Sequence, residues 1–208
     1  AALAVVSWLT EVAADRGLEP LVGSCDLRRH PLFAAVPWDQ THGAALASVA
    51  HLLHRTIGTV VIPPSYARDR LIPWGSRPDL DVRWGVPGRL RVVHGDNAGR
   101  RIERVVAIAA DPLVQRTLRV CWRNVGDDLN CGRCEKCVRT MVMLAGAGQL
   151  ERCITFPTRH DLPGALAALE PLSPGLAPMW LDLLEGHLRD PERQAVVELL
   201  ARSGFVAH

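Results

Sequence analysis

The stretch Cys121-Trp-Arg-Asn-Val-Gly-Asp-Asp-Leu-Asn-Cys131-Gly-Arg-Cys134-Glu-Lys-Cys137 constrains this chain more than any other. Two C-x-x-C steps share Cys134, and Cys121 stands upstream of them. Thiolates at that spacing reach one ion from a tight turn, and Gly132 relieves the backbone there. Four sulfurs suit tetrahedral Zn²⁺ with no position left for water, so the expected role is structural. The ion staples the segment ending at Cys121 to a helix expected from Glu135 to Ala145, and its binding adds to the folding free energy. An iron–sulfur cluster and a redox-active C-x-x-C are the alternatives for the same residues. Cys25 and Cys153 are expected to be small buried hydrophobes rather than ligands. Cysteines grouped in this way do not make a disulfide framework, and they point to a reducing, cytoplasmic compartment.

A chain of 208 residues with 48% apolar and 22% charged residues builds a substantial core, which excludes wholesale disorder. No apolar run approaches the roughly 18 residues of a membrane span, so no membrane partner is expected. The opening Ala1-Ala2-Leu3-Ala4-Val5-Val6 has no basic leader or cleavage site and is soon followed by Glu11 and Asp15, so no signal peptide is expected. Without an initiator Met, the chain is expected to be part of a longer polypeptide. The net charge of +2, from 24 basic and 22 acidic residues, argues against nucleic acid held by bulk charge but allows a local phosphate site. Lys136 is the sole lysine among those basic residues, and it lies inside the cysteine cluster.

Periodicity predicts a first helix through Val5, Leu9, Val12 and Ala13, stopped by Gly17, and a second from Gly43 to His54. A third is predicted from about Arg100 to Ala110. Strands are predicted at Leu21–Cys25, Thr59–Pro63, Leu90–His94 and Thr117–Cys121, and the β-branched Thr59–Pro63 run reads as buried on both faces. Residues 64–89, rich in Pro and Gly, form a long irregular segment of the kind that is usually functional or mobile. After Pro157 come short helices. Asp161-Leu162-Pro163 and Asp190-Pro191-Glu192 mark starts, and Gly204 marks a stop. The expected fold is α/β, a mostly parallel Rossmann-like sheet with helices on both faces. It spans residues 1–156 and carries the zinc segment 121–137, with 157–208 a helical extension.

The pattern Val120-Cys121-Trp122 … Asn130-Cys131-Gly132-Arg133-Cys134-Glu135-Lys136-Cys137 resembles the zinc-binding region of the 7-cyano-7-deazaguanine synthase family. That family belongs to the ATP pyrophosphatase (PP-loop) branch of the adenine nucleotide alpha-hydrolase-like superfamily. Thr41-His42-Gly43, Gly75-Ser76-Arg77-Pro78 and Arg101-Ile102-Glu103-Arg104 are similar, more weakly, to motifs of its relatives. The resemblance implies a ligase or synthase that adenylates a carboxylate on a small, purine-like substrate, releases pyrophosphate and admits ammonia. The family's S-G-G-x-D-S nucleotide loop is missing here; Gly23-Ser24-Cys25-Asp26 is its nearest and a poor counterpart. ATP and Mg²⁺ are therefore expected only if that loop lies upstream, and no catalytic residue is assigned. A tRNA-thiolating relative and a non-catalytic zinc-stapled binding module are the alternatives.

Six residues are candidates for substrate or anion contact. His42 is expected at a helix N-terminus, where anions are favoured. Ser65 follows a strand at the end where doubly wound sheets bind ligands. Arg101 and Glu103, with Arg100 and Arg104, start the third helix, where cations oppose the helix dipole unless an anion compensates. Lys136 and Arg139 lie on the helix leaving the metal, which would aim them at an anionic ligand. Trp74 and Trp84 read mainly as packing residues. Association into a homo-oligomer is compatible with the sequence.

Overall fold

The computed structural model describes residues 2–123, 128–156 and 161–205. The chain separates into two compact units, one built from residues up to Val22 and from Arg101 onward, the other from Gly23–Arg100. The expected boundary between residues 156 and 157 touches residues 157–160, which lie outside the described residues.

The Gly23–Arg100 unit contains helices α2 (Pro31–Ala35), α3 (Trp38–Leu52) and α4 (Pro78–Asp81) and strands β1 (Thr59–Ile62) and β2 (Arg91–His94). The strands pair in parallel, with Thr59 opposite Arg91 and Ile62 opposite His94. Successive strand side chains point to opposite faces. Val60, Ile62 and Val92 therefore pack with Ala50 and Leu90, while Val61 remains exposed. The sheet is thus covered on one face among the described residues, not on both as the Thr59–Pro63 run suggested. It has two strands, so the fold shown is mixed helix with a small parallel sheet.

Two expected strands are absent. Leu21–Cys25 has no regular structure, with Leu21, Val22 and Cys25 exposed, and Leu118–Cys121 is an irregular segment after a helix. Cys25 is therefore not the buried hydrophobe expected. Helix α3 begins earlier than its periodicity suggested, because Pro37 precedes a first turn carrying Asp39, where an acidic residue complements the helix dipole.

The other unit holds α1 (Ala2–Asp15), α5 (Arg101–Ile108), α6 (Pro112–Thr117), α7 (Glu135–Gly146), α8 (Leu162–Ala167), α9 (Ala177–Leu184) and α10 (Asp190–Arg202). Its centre is α7, whose residues Cys137–Leu144 are all buried. A helix buried on every side lies inside a core rather than on its surface. Val138, Val142 and Leu144 meet Leu166, Trp180, Leu183, Val196 and Leu200 in one cluster, so α8, α9 and α10 share the core of the cysteine-bearing helix. The short helices start as the sequence indicated: Asp161 caps α8 by accepting from the Gly164 amide, and Gly204 ends α10 at φ 81°. Helix α1 joins this unit through Arg116, which pairs with Glu11 at 2.9 Å and Asp15 at 2.8 Å. No helix among the described residues is long and apolar enough to cross a membrane.

Candidate metal centre

The Sγ atoms of Cys121, Cys131, Cys134 and Cys137 all lie within 4.8 Å of one another. Two of their separations are 4.0 Å (Cys121 to Cys134) and 3.9 Å (Cys131 to Cys137). These are far beyond a disulfide bond, and the cysteines are free. A tetrahedron of sulfurs around one ion with metal–sulfur bonds of about 2.3 Å has edges of about 3.8 Å. The four thiols can therefore hold a single metal ion.

Local folding explains the convergence. Gly132 takes φ 66°, the left-handed region where glycine is favoured, and this turns the chain between Cys131 and Cys134. The Cys134 amide donates to the Cys131 Sγ at 3.4 Å. Cys134 is the N-cap of α7 and Cys137 lies in its first turn, so the amide ends of the helix face two of the sulfurs. Hydrogen bonding from Cys137, followed by other thiol and amide contacts, holds the Cys134 thiol down at about 5 despite its burial. The same bond, with burial and the Cys134 charge, pushes Cys137 up. Crowded thiols thus ionise one at a time, and a cation among them removes that conflict.

Asn130 clasps the first ligand to the rest. Its side chain is buried, and its Oδ1 accepts from the Val120 amide at 2.8 Å and the Cys121 amide at 3.1 Å. Its Nδ2 donates to the Leu118 carbonyl at 2.7 Å and to Thr155 Oγ1 at 3.2 Å. Nothing in the sequence marks Asn130 for this role except that it adjoins Cys131. Residues 124–127, between Cys121 and Cys131, lie outside the described residues.

The anion-binding candidates separate. Lys136 is exposed beside the cysteines; its pKa is lowered by desolvation first, then by the Arg139 and Arg101 charges. Arg139 is buried, with its Nε 3.2 Å from Glu135 and an Nη against the Met179 sulfur. Glu135 also accepts from Trp180 Nε1 at 2.9 Å, so Arg139 helps tie α7 to α9. Arg101 and Glu103 occupy the first turn of α5 as expected, Arg101 half-buried and Glu103 exposed. His42 and Ser65 belong to the Gly23–Arg100 unit. His42 lies inside α3, not at its N-terminus, with Nδ1 3.2 Å from the Trp38 carbonyl, and burial lowers its pKa. Ser65 is half-buried just beyond β1. Trp74 packs edge-on against Tyr66 and His42, a packing role as expected.

Compared with protein-family models, curated proteins and solved structures, the chain matches none of them.

Proposed function

We propose that Cys121, Cys131, Cys134 and Cys137 bind one Zn²⁺ in a closed structural site, and that the chain is the zinc-stapled part of an ATP pyrophosphatase-like synthase or ligase. The observation that carries the zinc reading is the mutual approach of four sulfurs to the edge lengths of a single-ion tetrahedron. A multi-iron cluster would spread its thiolates further apart, because different irons take different sulfurs. Zinc would supply folding free energy and fix the segment between Leu118 and Cys137; with four thiolates around it, the ion offers no position to substrate.

The enzyme reading rests on the residue pattern from Val120 to Cys137 and on the parallel strand pair, which we take as part of a larger Rossmann-like sheet. Its candidates for anion or substrate contact are Arg101, Glu103 and Lys136 in the one unit and, separately, His42 and Ser65 in the Gly23–Arg100 unit. Arg139 takes a positioning role through Glu135. ATP with Mg²⁺ would be held by an S-G-G-x-D-S loop elsewhere in the same polypeptide, and the substrate would be a small carboxylate or purine-like molecule. A non-catalytic zinc-stapled binding module is the second reading. It is favoured by the Gly23–Asp26 segment, which leads into the single turn Leu27–Arg29 and not into a helix long enough to face a phosphate.

Elemental analysis of protein purified without chelators tests the site. One zinc per chain is expected, with a tetrahedral thiolate spectrum on cobalt substitution; metal-free protein, or iron with sulfide, refutes it. Pyrophosphate release from ATP by the full-length polypeptide tests the enzyme reading. Its absence leaves the binding module in front.

A further inference from the structure

The Gly23–Arg100 unit carries a cleft of about 790 Å³ that neither the metal nor the proposed chemistry uses. It lies toward the amino ends of the parallel strands, the end opposite Ser65. Its walls are fixed locally. Val86 and Leu90 exchange backbone hydrogen bonds of 2.8 and 3.0 Å, which close a turn whose Gly88 takes φ 72°. The Gly85 amide donates to the Val82 carbonyl at 3.3 Å, and Arg83 Nε donates to the Asp79 carbonyl at 3.0 Å. His51 Nε2 lies 2.7 Å from the Trp84 carbonyl, so the single turn Val82–Trp84 is tied to α3 as well. His94 borders the cleft too, but its ring is 5% exposed and donates through Nδ1 to Asp81 Oδ2 at 2.6 Å, so it holds the wall and meets no ligand. A cleft formed before its ligand arrives avoids the cost of ordering its walls.

Two kinds of surface meet in it. Pro78, Val82, Val86 and Val93 supply apolar walls, and Val82 is 57% and Val86 40% exposed. Arg89 and Arg91 supply charge, and both are exposed. Leu90 and Val92 turn into the core at 2% and 3% exposure, so strand alternation sends Arg91 and Val93 to the other face. Arg89 stands two residues before Arg91, at the end of the turn. Neither arginine side chain has an ion-pair or hydrogen-bond partner among the described residues, and no acidic side chain is among those lining the cleft. Two cations side by side repel, and the apolar wall beside them concentrates their field. An anion relieves that repulsion, and guanidinium forks suit carboxylate and phosphate oxygens.

We propose that this cleft binds a small molecule with an apolar, ring-sized body and one anionic head, a carboxylate or a phosphate monoester, the body resting on Val82, Val86 and Val93 and the head taken by Arg89 and Arg91. The test titrates 2-naphthoate, 2-naphthyl phosphate and the neutral 2-naphthamide into the metal-replete chain, following the methyl resonances of Val82 and Val86. At least one of the two anions is expected to bind about tenfold more tightly than the amide, the worth of two partly exposed ion pairs, and to shift those methyls. Which anion binds more tightly distinguishes a carboxylate from a phosphate. Replacing both arginines, Arg89→Gln with Arg91→Gln, is expected to bring the anions down to the affinity of the amide, with the fold checked by circular dichroism. In the unmodified chain, equal affinities of anions and amide, binding of none of the three, or methyl resonances unmoved at saturation overturns the proposal. So does an anion preference that survives both replacements. A chain that binds no probe and sediments as a dimer, which the double replacement dissociates, assigns the cleft to a second copy and overturns it as well.

Discussion

Replacing Asn130 by alanine removes the clasp that joins the first metal ligand to the others. Its Oδ1 takes two backbone donors, the Val120 and Cys121 amides, and its Nδ2 satisfies the Leu118 carbonyl. Cys121 is buried and the segment lies in no sheet, so no strand partner replaces the lost acceptor. Each orphaned group costs about 1–3 kcal/mol, and with two amides stranded the expected loss is about 4 kcal/mol. Loosening a ligand through its supporting hydrogen bonds typically lowers metal affinity 10- to 100-fold. The assay is guanidinium unfolding with zinc in excess and again with a chelator, together with competition for zinc against a chromophoric chelator. Asn130→Asp keeps the acceptor oxygens and loses the donor, so it falls between wild type and alanine. An alanine variant within about 0.5 kcal/mol of wild type and of unchanged zinc affinity would refute the reasoning, since surface substitutions alone show effects that small.

Cys137→Ser is expected to lose its metal on dialysis while Cys153→Ser retains it, because only the former lies in the four-sulfur group; metal per chain by elemental analysis decides. Gly43→Ala drives a methyl group into the Gly75 carbonyl and is expected to destabilise the Gly23–Arg100 unit by about 1–3 kcal/mol, read by urea unfolding followed at the tryptophans. Asp111 caps α6 through the Leu113 amide and pairs with Arg16, and in that order these contacts hold its carboxyl below the ordinary 3.8. Its contribution is therefore complete above that value and disappears as the pH falls through the lower folded one, so denaturation midpoints should drop below pH 4 less steeply in Asp111→Asn, which keeps the cap.

What could be read in advance was what neighbours in sequence decide. The Cys131-Gly132-Arg133-Cys134 turn and the starts at Asp161 and Asp190 need only adjacent residues, and they fold as expected. Thr117–Cys121 has strand-like composition, yet the Val120 and Cys121 amides go to a side chain, Asn130, and not to a neighbouring strand. Leu21–Cys25 fails for the same reason, since a β-rich segment without a partner has nowhere to send its amides. The opening of α3 is not legible from hydrophobic periodicity, which starts later than the helix, whose first turn is Trp38-Asp39-Gln40. Glu135 and Arg139 stand at the i,i+4 spacing that helix geometry announces, but the Trp180 partner of Glu135 and the Asp81–His94 pair come from separate segments, and no spacing rule announces those.

The discontinuity of the α1-containing unit bears on how a ribosome delivers it. The carboxylates of Glu11 and Asp15 and the Arg16 guanidinium find their partners 95–105 residues later in the chain. At about 5–20 residues per second, that separation corresponds to roughly 5–20 seconds of translation. During that interval the Gly23–Arg100 segment emerges whole and can collapse on its own small nucleus of Ala50, Ile62, Leu90 and Val92. Helix α1 thus waits for companions synthesised about a hundred residues later, a natural moment for chaperone capture.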